Sequence, residues 1–118
     1  MRRAELFSNI KDSVLGKRYD LSVAFLSREE MRAVTRKTKR QNKASNVLAF
    51  PLSKQSGEIL ICTATARAQC KAYGMSERTF VAFLFIHGLL HLRGLKHSVT
   101  MEGEERRIMK QFDLWPNE

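Results

Sequence analysis

All three histidines of this 118-residue chain lie in one stretch, HGLLHLRGLKH, at residues 87–97. His87 and His91 are four residues apart, so on a helix their imidazoles share one face and lie one turn apart. Gly94 can end that helix in the left-handed conformation and turn the chain back, which would bring His97 to the same point. Three imidazoles with one open position are typical of catalytic zinc. The spacing therefore predicts one metal ion, with zinc expected ahead of nickel, iron or copper.

Gly88 follows the first histidine, at the position where zinc proteases with this histidine spacing carry a glutamate. Glycine can neither deprotonate a water nor protonate a leaving amine, so this residue excludes the protease mechanism. Zinc alone still lowers the pKa of its water to about 7. Such a site suits a substrate whose leaving group is better than an amide nitrogen. An RNA phosphodiester is one candidate, since its 2′-hydroxyl can act as an internal nucleophile, and another ester is the weaker alternative.

The charge balance is basic, with 21 Lys and Arg against 12 Asp and Glu and a net charge of +9 at pH 7. This is the electrostatic signature of a nucleic-acid-binding protein, although a basic surface kept for solubility or an acidic protein partner explains the same number. Many of the cations fall between residues 28 and 43, where four arginines recur every four residues. They are Arg28, Arg32, Arg36 and Arg40, joined by Lys37, Lys39 and Lys43. The segment predicts either a solvated helix face or, if it borders the histidines, a phosphate-binding track.

Apolar periodicity and capping residues predict five helices and three strands. The helices are expected at residues 3–15, 28–38, 63–73, 77–93 and 100–112, and the strands at 21–26, 46–50 and 57–62. Pro51 should end the second strand, and a short hairpin-like connection should lead to the third. Ser27, Ser76 and Thr100 are the expected helix caps. The pattern predicts an α/β or α+β fold: a single compact domain over residues 1–118 in which three or four strands pack with about five helices and the metal site lies at the end of a central helix.

Two cysteines, Cys62 and Cys70, make no C-x-x-C pair and are expected to be reduced thiols. No signal peptide or membrane-length apolar run is found, so a cytoplasmic protein without membrane contact is expected. The aromatic residues are expected to pack in the core and not to stack on bases.

Acidic residues are not expected to do chemistry. Three glutamates, Glu102, Glu104 and Glu105, should lie in the first turn of the last helix and favour its dipole. Glu58 could support a ligand histidine, but a plain carboxylate at a strand edge is the more ordinary interpretation.

Four sequence blocks, in order, resemble the YbeY family of bacterial endoribonucleases and rRNA maturation factors. HGLLHLRGLKH is similar to the family signature H-G-x-L-H-L-x-G-Y-D-H. SNVLAFP at 45–51, GEILIC at 57–62 and ARAQCKAYG at 66–74 are similar to three further family blocks. The resemblance implies a compact α/β fold, one zinc ion held by His87, His91 and His97, and cleavage of single-stranded RNA. It also implies a role in maturation of the small-subunit rRNA 3′ end and in ribosome quality control, with RNA and the ribosome or its proteins as partners.

The chain departs from the family pattern at Leu95, Lys96 and Lys39. Leu95-Lys96 replaces a Tyr-Asp pair before the third histidine. Lys39 stands where the family carries an arginine thought to act on substrate, and lysine keeps the charge without the bidentate geometry. The expected catalytic residues are therefore the three histidines and Lys39, while RNA binding is expected at Arg32, Arg36, Lys39, Arg40, Lys43 and Lys96. A metal-stabilised RNA- or ribosome-binding factor with little nuclease activity is the alternative.

Overall fold

The computed structural model describes residues 2–39, 45–96 and 98–115, with only the backbone of Lys39 included. Five α-helices and three strands occur within these ranges, as the sequence predicts. Their bounds are α1 Arg3–Leu15, β1 Asp20–Leu26, α2 Arg28–Lys39, β2 Val47–Ser53, β3 Ser56–Cys62, α3 Thr63–Gln69, α4 Glu77–Leu92 and α5 Val99–Gln111, with a short 3₁₀ helix at Cys70–Tyr73. The observed α+β fold confirms the predicted class.

The three strands form one mixed sheet in the order β1–β3–β2. The central strand β3 pairs in parallel with β1 and antiparallel with β2, so that Ile59 lies opposite both Val23 and Ala49. Both faces of β3 are buried, because Ile59 and Ile61 pack in the main core with α1 and α4, while Leu60 packs with α2. Burial on both faces explains why the sequence of this strand is continuously apolar.

The helix α4 runs through the main core and carries the first two predicted metal ligands near its C-terminal end. Ser76 caps its N-terminus by accepting a hydrogen bond from the Thr79 amide at 3.1 Å. Residues on most sides of the helix are buried, and Phe85 stacks on Phe7 of α1 with ring centroids 4.0 Å apart. Gly94 takes φ +100 just after the helix ends. The predicted buried central helix and its glycine turn are both confirmed.

Three local predictions need correction. Pro51 does not end the second strand, since β2 continues to Ser53; it lies at a sheet edge, where a missing N–H is tolerated. The third helix tightens into the 3₁₀ helix after Gln69. Ser98, and not Thr100, caps α5 by accepting a hydrogen bond from the Met101 amide.

No helix in the described ranges is long and apolar enough to cross a bilayer.

Candidate metal centre

His87 and His91 project from the last two turns of α4 toward one point. Their Nε2 atoms lie 3.1 Å apart, and the ring planes are nearly perpendicular at 83°. In a tetrahedral zinc site with Zn–N bonds of about 2.0–2.1 Å, two ligand nitrogens lie about 3.3 Å apart. The two imidazoles are therefore already placed close to the separation that a shared metal ion requires.

Glu105 of α5 fixes the orientation of the His87 ring from behind. Its carboxylate oxygen lies 2.5 Å from His87 Nδ1, and the two side chains are only 7% and 17% exposed. A carboxylate accepts hydrogen bonds, so this contact favours the His87 tautomer with the proton on Nδ1, which leaves the Nε2 lone pair free for a metal ion. A carboxylate behind a histidine ligand in this way orients the ring and raises its basicity.

The sequence interpretation gave Glu105 no role at the site, and the structure corrects this. A signal for it was available, because Met101, Ile108 and Met109 mark the buried stripe of α5 and Glu105 falls on the same face. A carboxylate at a buried helix position requires a partner. Glu58 had been considered for this role, but within the described residues it is Glu105 that contacts His87.

The predicted third ligand, His97, lies outside the described residues. The approach to it is defined, since the Leu95 amide donates to the Leu90 carbonyl at 3.0 Å around the Gly94 turn. Across the described ranges, no set of three histidine, cysteine or acidic side chains is arranged to hold a metal ion. The three-histidine site therefore stays a prediction, of which the structure describes two members and their carboxylate support.

Gly88 brings α4 into close contact with the sheet. A Cβ at this position would lie 3.1 Å from Ile59 Cδ1 and 3.4 Å from two further atoms of the same side chain. The absence of a side chain at this position therefore serves helix–sheet packing. It also leaves the first histidine without the neighbouring general base that a protease requires.

The two histidines line a cleft of about 1060 Å³. Its walls come from the start of β2, the 3₁₀ helix, α4 and α5, and they combine polar with aromatic side chains. The polar members include Asn46 and Gln69, whose side-chain amides are joined by a hydrogen bond of 2.9 Å. The aromatic members are Tyr73, Phe80, Phe83 and Trp115. A site with convergent nitrogens, amides and rings suits an extended polar ligand with flat groups.

Arg106 supplies positive charge to the cleft, and the sequence interpretation missed it. Its guanidinium lies 5.2 Å from the centroid of the Trp115 ring, and both side chains line the cleft. Arg106 follows Glu105 on α5, but only tertiary packing shows that this part of the helix faces the histidines. Nothing in its local sequence distinguishes it from Arg107, which pairs with Glu104 instead.

The cations predicted to bind RNA lie elsewhere or outside the described residues. Arg32 and Arg36 are exposed on α2, and Lys96 is exposed after α4, but none of the three lines the cleft. The Lys39 side chain and all of Arg40 and Lys43 lie outside the described residues. The helix α2 does approach the cleft, since Thr35 Oγ1 lies 3.5 Å from Oγ of Ser45, which lines it.

Comparison with known proteins supports the resemblance seen in the sequence. A family model described as Endoribonuclease YbeY matches residues 3–113. The Endoribonuclease YbeY of Sulfurimonas denitrificans is 36% identical, covering 93% of this chain and 83% of that protein. The Staphylococcus epidermidis protein of the same name is 29% identical, covering 83% of this chain and 76% of that protein. A solution structure from Thermotoga maritima shares the fold, with a TM-score of 0.67 at 21% identity over 95% of this chain and 84% of that chain. The chain therefore belongs to the YbeY family.

Proposed function

We propose that this chain, as one domain over residues 1–118, is a zinc-dependent endoribonuclease that cleaves single-stranded RNA. One observation carries the proposal: two imidazole Nε2 atoms converge at 3.1 Å while a buried carboxylate holds the far side of one ring. The names of the relatives, Endoribonuclease YbeY, support the reaction. Maturation of the small-subunit rRNA 3′ end and ribosome quality control in the cytoplasm are the corresponding roles, with rRNA and the ribosome as partners.

The residues at the end of α4 would hold the ion. His87 and His91 would bind it through Nε2, with His97 as the third ligand, and Glu105 would keep the His87 ring in position. A bound zinc ion supplies a Lewis acid for a phosphoryl oxygen and lowers the pKa of a water toward 7. Gly88 cannot take part in proton transfer. The proposed cleavage therefore proceeds without a general base at residue 88.

Phosphate binding is assigned first to Arg106. It lies on α5 next to the carboxylate that supports His87, in the same cleft as both histidines. A guanidinium can bind a phosphate through two parallel hydrogen bonds. The RNA would then continue past Ser45 toward α2, which carries the exposed Arg36, and we propose Lys39, Arg40 and Lys43 as further RNA contacts. Lys39 would also act on the substrate.

The test uses purified, zinc-loaded protein and a single-stranded RNA that carries a small-subunit 3′ end. We expect cleavage by the wild type and none by His91→Ala, which should also lose bound zinc as measured by elemental analysis. Lys54→Ala is the control, because Lys54 is an exposed cation in the β2–β3 turn, outside the cleft. It should cleave like the wild type.

Each outcome decides between the candidate functions. RNA binding without cleavage by either the wild type or Lys54→Ala would overturn the nuclease and favour a metal-stabilised RNA- or ribosome-binding factor. Cleavage that survives His91→Ala would show that the histidine site does not perform the reaction. A wild type that holds no metal would overturn the zinc site itself.

A further inference from the structure

Tyr73 is an exposed aromatic residue in the cleft, whereas the sequence predicts that the aromatic residues pack in the core. The residue is 56% exposed, whereas Phe80 is buried and Phe83 is half-buried. It ends the 3₁₀ helix, and Gly74 follows it at φ +66. Its ring rests against Phe80 and Phe83 of α4, with centroids 4.8 and 6.3 Å away. The ring is thus supported by its neighbours while more than half of the residue's surface stays exposed.

The position of this ring relative to the histidines follows from α4. Phe80, Phe83 and His87 are spaced by three and four residues, so they follow one face of the helix. At 1.5 Å per residue, the two phenylalanines precede His87 by about 6 and 10 Å along the helix axis. That span equals about two or three nucleotides of a stacked strand, at 3.4 Å each, and fewer of an extended one.

We propose that Tyr73 is the stacking surface for a nucleobase of the single-stranded RNA whose phosphate is held beside His87. The inference rests on the proposed function, since it needs an RNA strand in this cleft. Unpaired bases can be splayed out and stacked on aromatic rings, whereas bases in a duplex are already stacked and paired. Tyr73 would therefore favour single strands. Every base has a flat face, so the subsite should tolerate any base.

The test measures binding apart from cleavage. Zinc-loaded protein is titrated with a labelled 2′-O-methyl oligonucleotide, which lacks the free 2′-hydroxyl, and with a series in which one base at a time is replaced by an abasic site. In the wild type, one or two adjacent abasic positions should weaken binding by about 5- to 150-fold, the range for loss of one stacked base. Fluorescence anisotropy gives each dissociation constant.

Variants at Tyr73 identify the ring as the cause. Tyr73→Leu keeps an apolar cover over Phe80 and Phe83 but has no flat face. Its affinity for the intact oligonucleotide should equal the affinity of the wild type for the abasic one. An abasic site should not lower the affinity of Tyr73→Leu any further. Tyr73→Phe should restore the wild-type pattern. Phe25→Ala is the control, since Phe25 is 43% exposed but lies on β1, outside the cleft.

An abasic penalty of equal size in the wild type and Tyr73→Leu would overturn the stacking inference, as would tight binding of the intact strand by Tyr73→Leu. Both results leave the nuclease intact if the wild type cleaves RNA. A wild type that neither binds nor cleaves single-stranded RNA overturns the proposed function, and the stacking inference with it. The thermal unfolding of Tyr73→Leu separates a lost ring from a lost fold, and a folded Tyr73→Leu with wild-type binding again overturns the inference.

Discussion

Replacing Glu105 should weaken metal binding while leaving the fold in place. Its carboxylate accepts the hydrogen bond of His87 Nδ1 at 2.5 Å in a setting where both side chains are largely buried. A hydrogen bond to a charged group contributes about 1.5–3 kcal/mol, and loss of the carboxylate behind a histidine ligand lowers metal affinity about 10- to 100-fold. Glu105→Ala should therefore bind zinc about 10- to 100-fold more weakly than the wild type.

The zinc affinity of Glu105→Gln should fall between those of the wild type and Glu105→Ala. The glutamine Oε1 can accept the same hydrogen bond without the negative charge, and charge-assisted hydrogen bonds are about twice as strong as neutral ones. Half of the lost free energy corresponds to an affinity about 3- to 10-fold below that of the wild type. This ranking of the three proteins tests the charge of the carboxylate separately from its shape.

Competition with a chromophoric chelator at fixed pH measures the zinc affinity, and Glu104→Gln is the matched control. Glu104 lies on the same helix, but among the described residues its carboxylate accepts a hydrogen bond from Arg107 at 2.8 Å and pairs with Arg93. Long-range ¹⁵N spectra of the metal-free protein supply a second measurement, in which His87 should carry its proton on Nδ1 in the wild type and lose that preference in Glu105→Ala. Zinc affinities for Glu105→Ala equal to those of Glu104→Gln, with an unchanged His87 tautomer, would refute the orienting role.

Three further expectations follow from single contacts. Arg106→Ala should reduce the slope of log affinity against log salt concentration for a single-stranded oligonucleotide by about 0.7, whereas Lys54→Ala should leave it unchanged. Equal slopes for the wild type and Arg106→Ala would contradict the assignment of Arg106 to phosphate. Gly57→Ala should lower the free energy of unfolding by about 1–3 kcal/mol in urea titrations, because the new methyl group overlaps the Tyr19 hydroxyl and lies 3.0 Å from Leu92 Cδ2. Tyr19→Phe should raise the free energy of unfolding, since the hydroxyl is buried without a hydrogen-bond partner in the described part of the chain. Burial raises the pKa of Tyr19 above its ordinary value of 10.0, so the wild type should lose stability relative to this variant as pH rises through 10 and beyond. If the difference in the free energy of unfolding between the wild type and Tyr19→Phe stays constant from about pH 8 to about pH 11, this pH dependence is wrong.

Most of the fold could be predicted because the local signals agreed with the tertiary structure. The capping box is one case: Glu30 Oε1 accepts from the Ser27 amide at 2.9 Å, and Ser27 Oγ accepts from the Glu30 amide at 3.1 Å. The misplaced boundaries arose where tertiary context decides. Pro51 is tolerated within β2 because β2 is an edge strand. The sequence of a single strand does not show whether that strand lies at the edge of its sheet.

The site was less predictable than the fold, for a related reason. His87 and His91 could be found because one helical turn brings them together. Glu105 and Arg106 reach the cleft from a different helix, and only the packing of α5 against α4 brings them there. Conversely, the stripe of arginines on α2 was conspicuous in the sequence, yet Arg32 and Arg36 do not line the cleft. Charge periodicity predicts a helix face and says nothing of what that face borders.

Gly88 shows how packing and chemistry constrain each other at this site. The helix α4, which carries His87 and His91, lies close against β3, and a Cβ at Gly88 would lie only 3.1 Å from Ile59 Cδ1. A glutamate at this position would place its Cβ against the fully buried Ile59, whose side chain would have to shift by a few tenths of an ångström. The same close packing disfavours a side chain beside His87, so in the proposed function the substrate specificity comes from the rest of the cleft, including Arg106 and Tyr73.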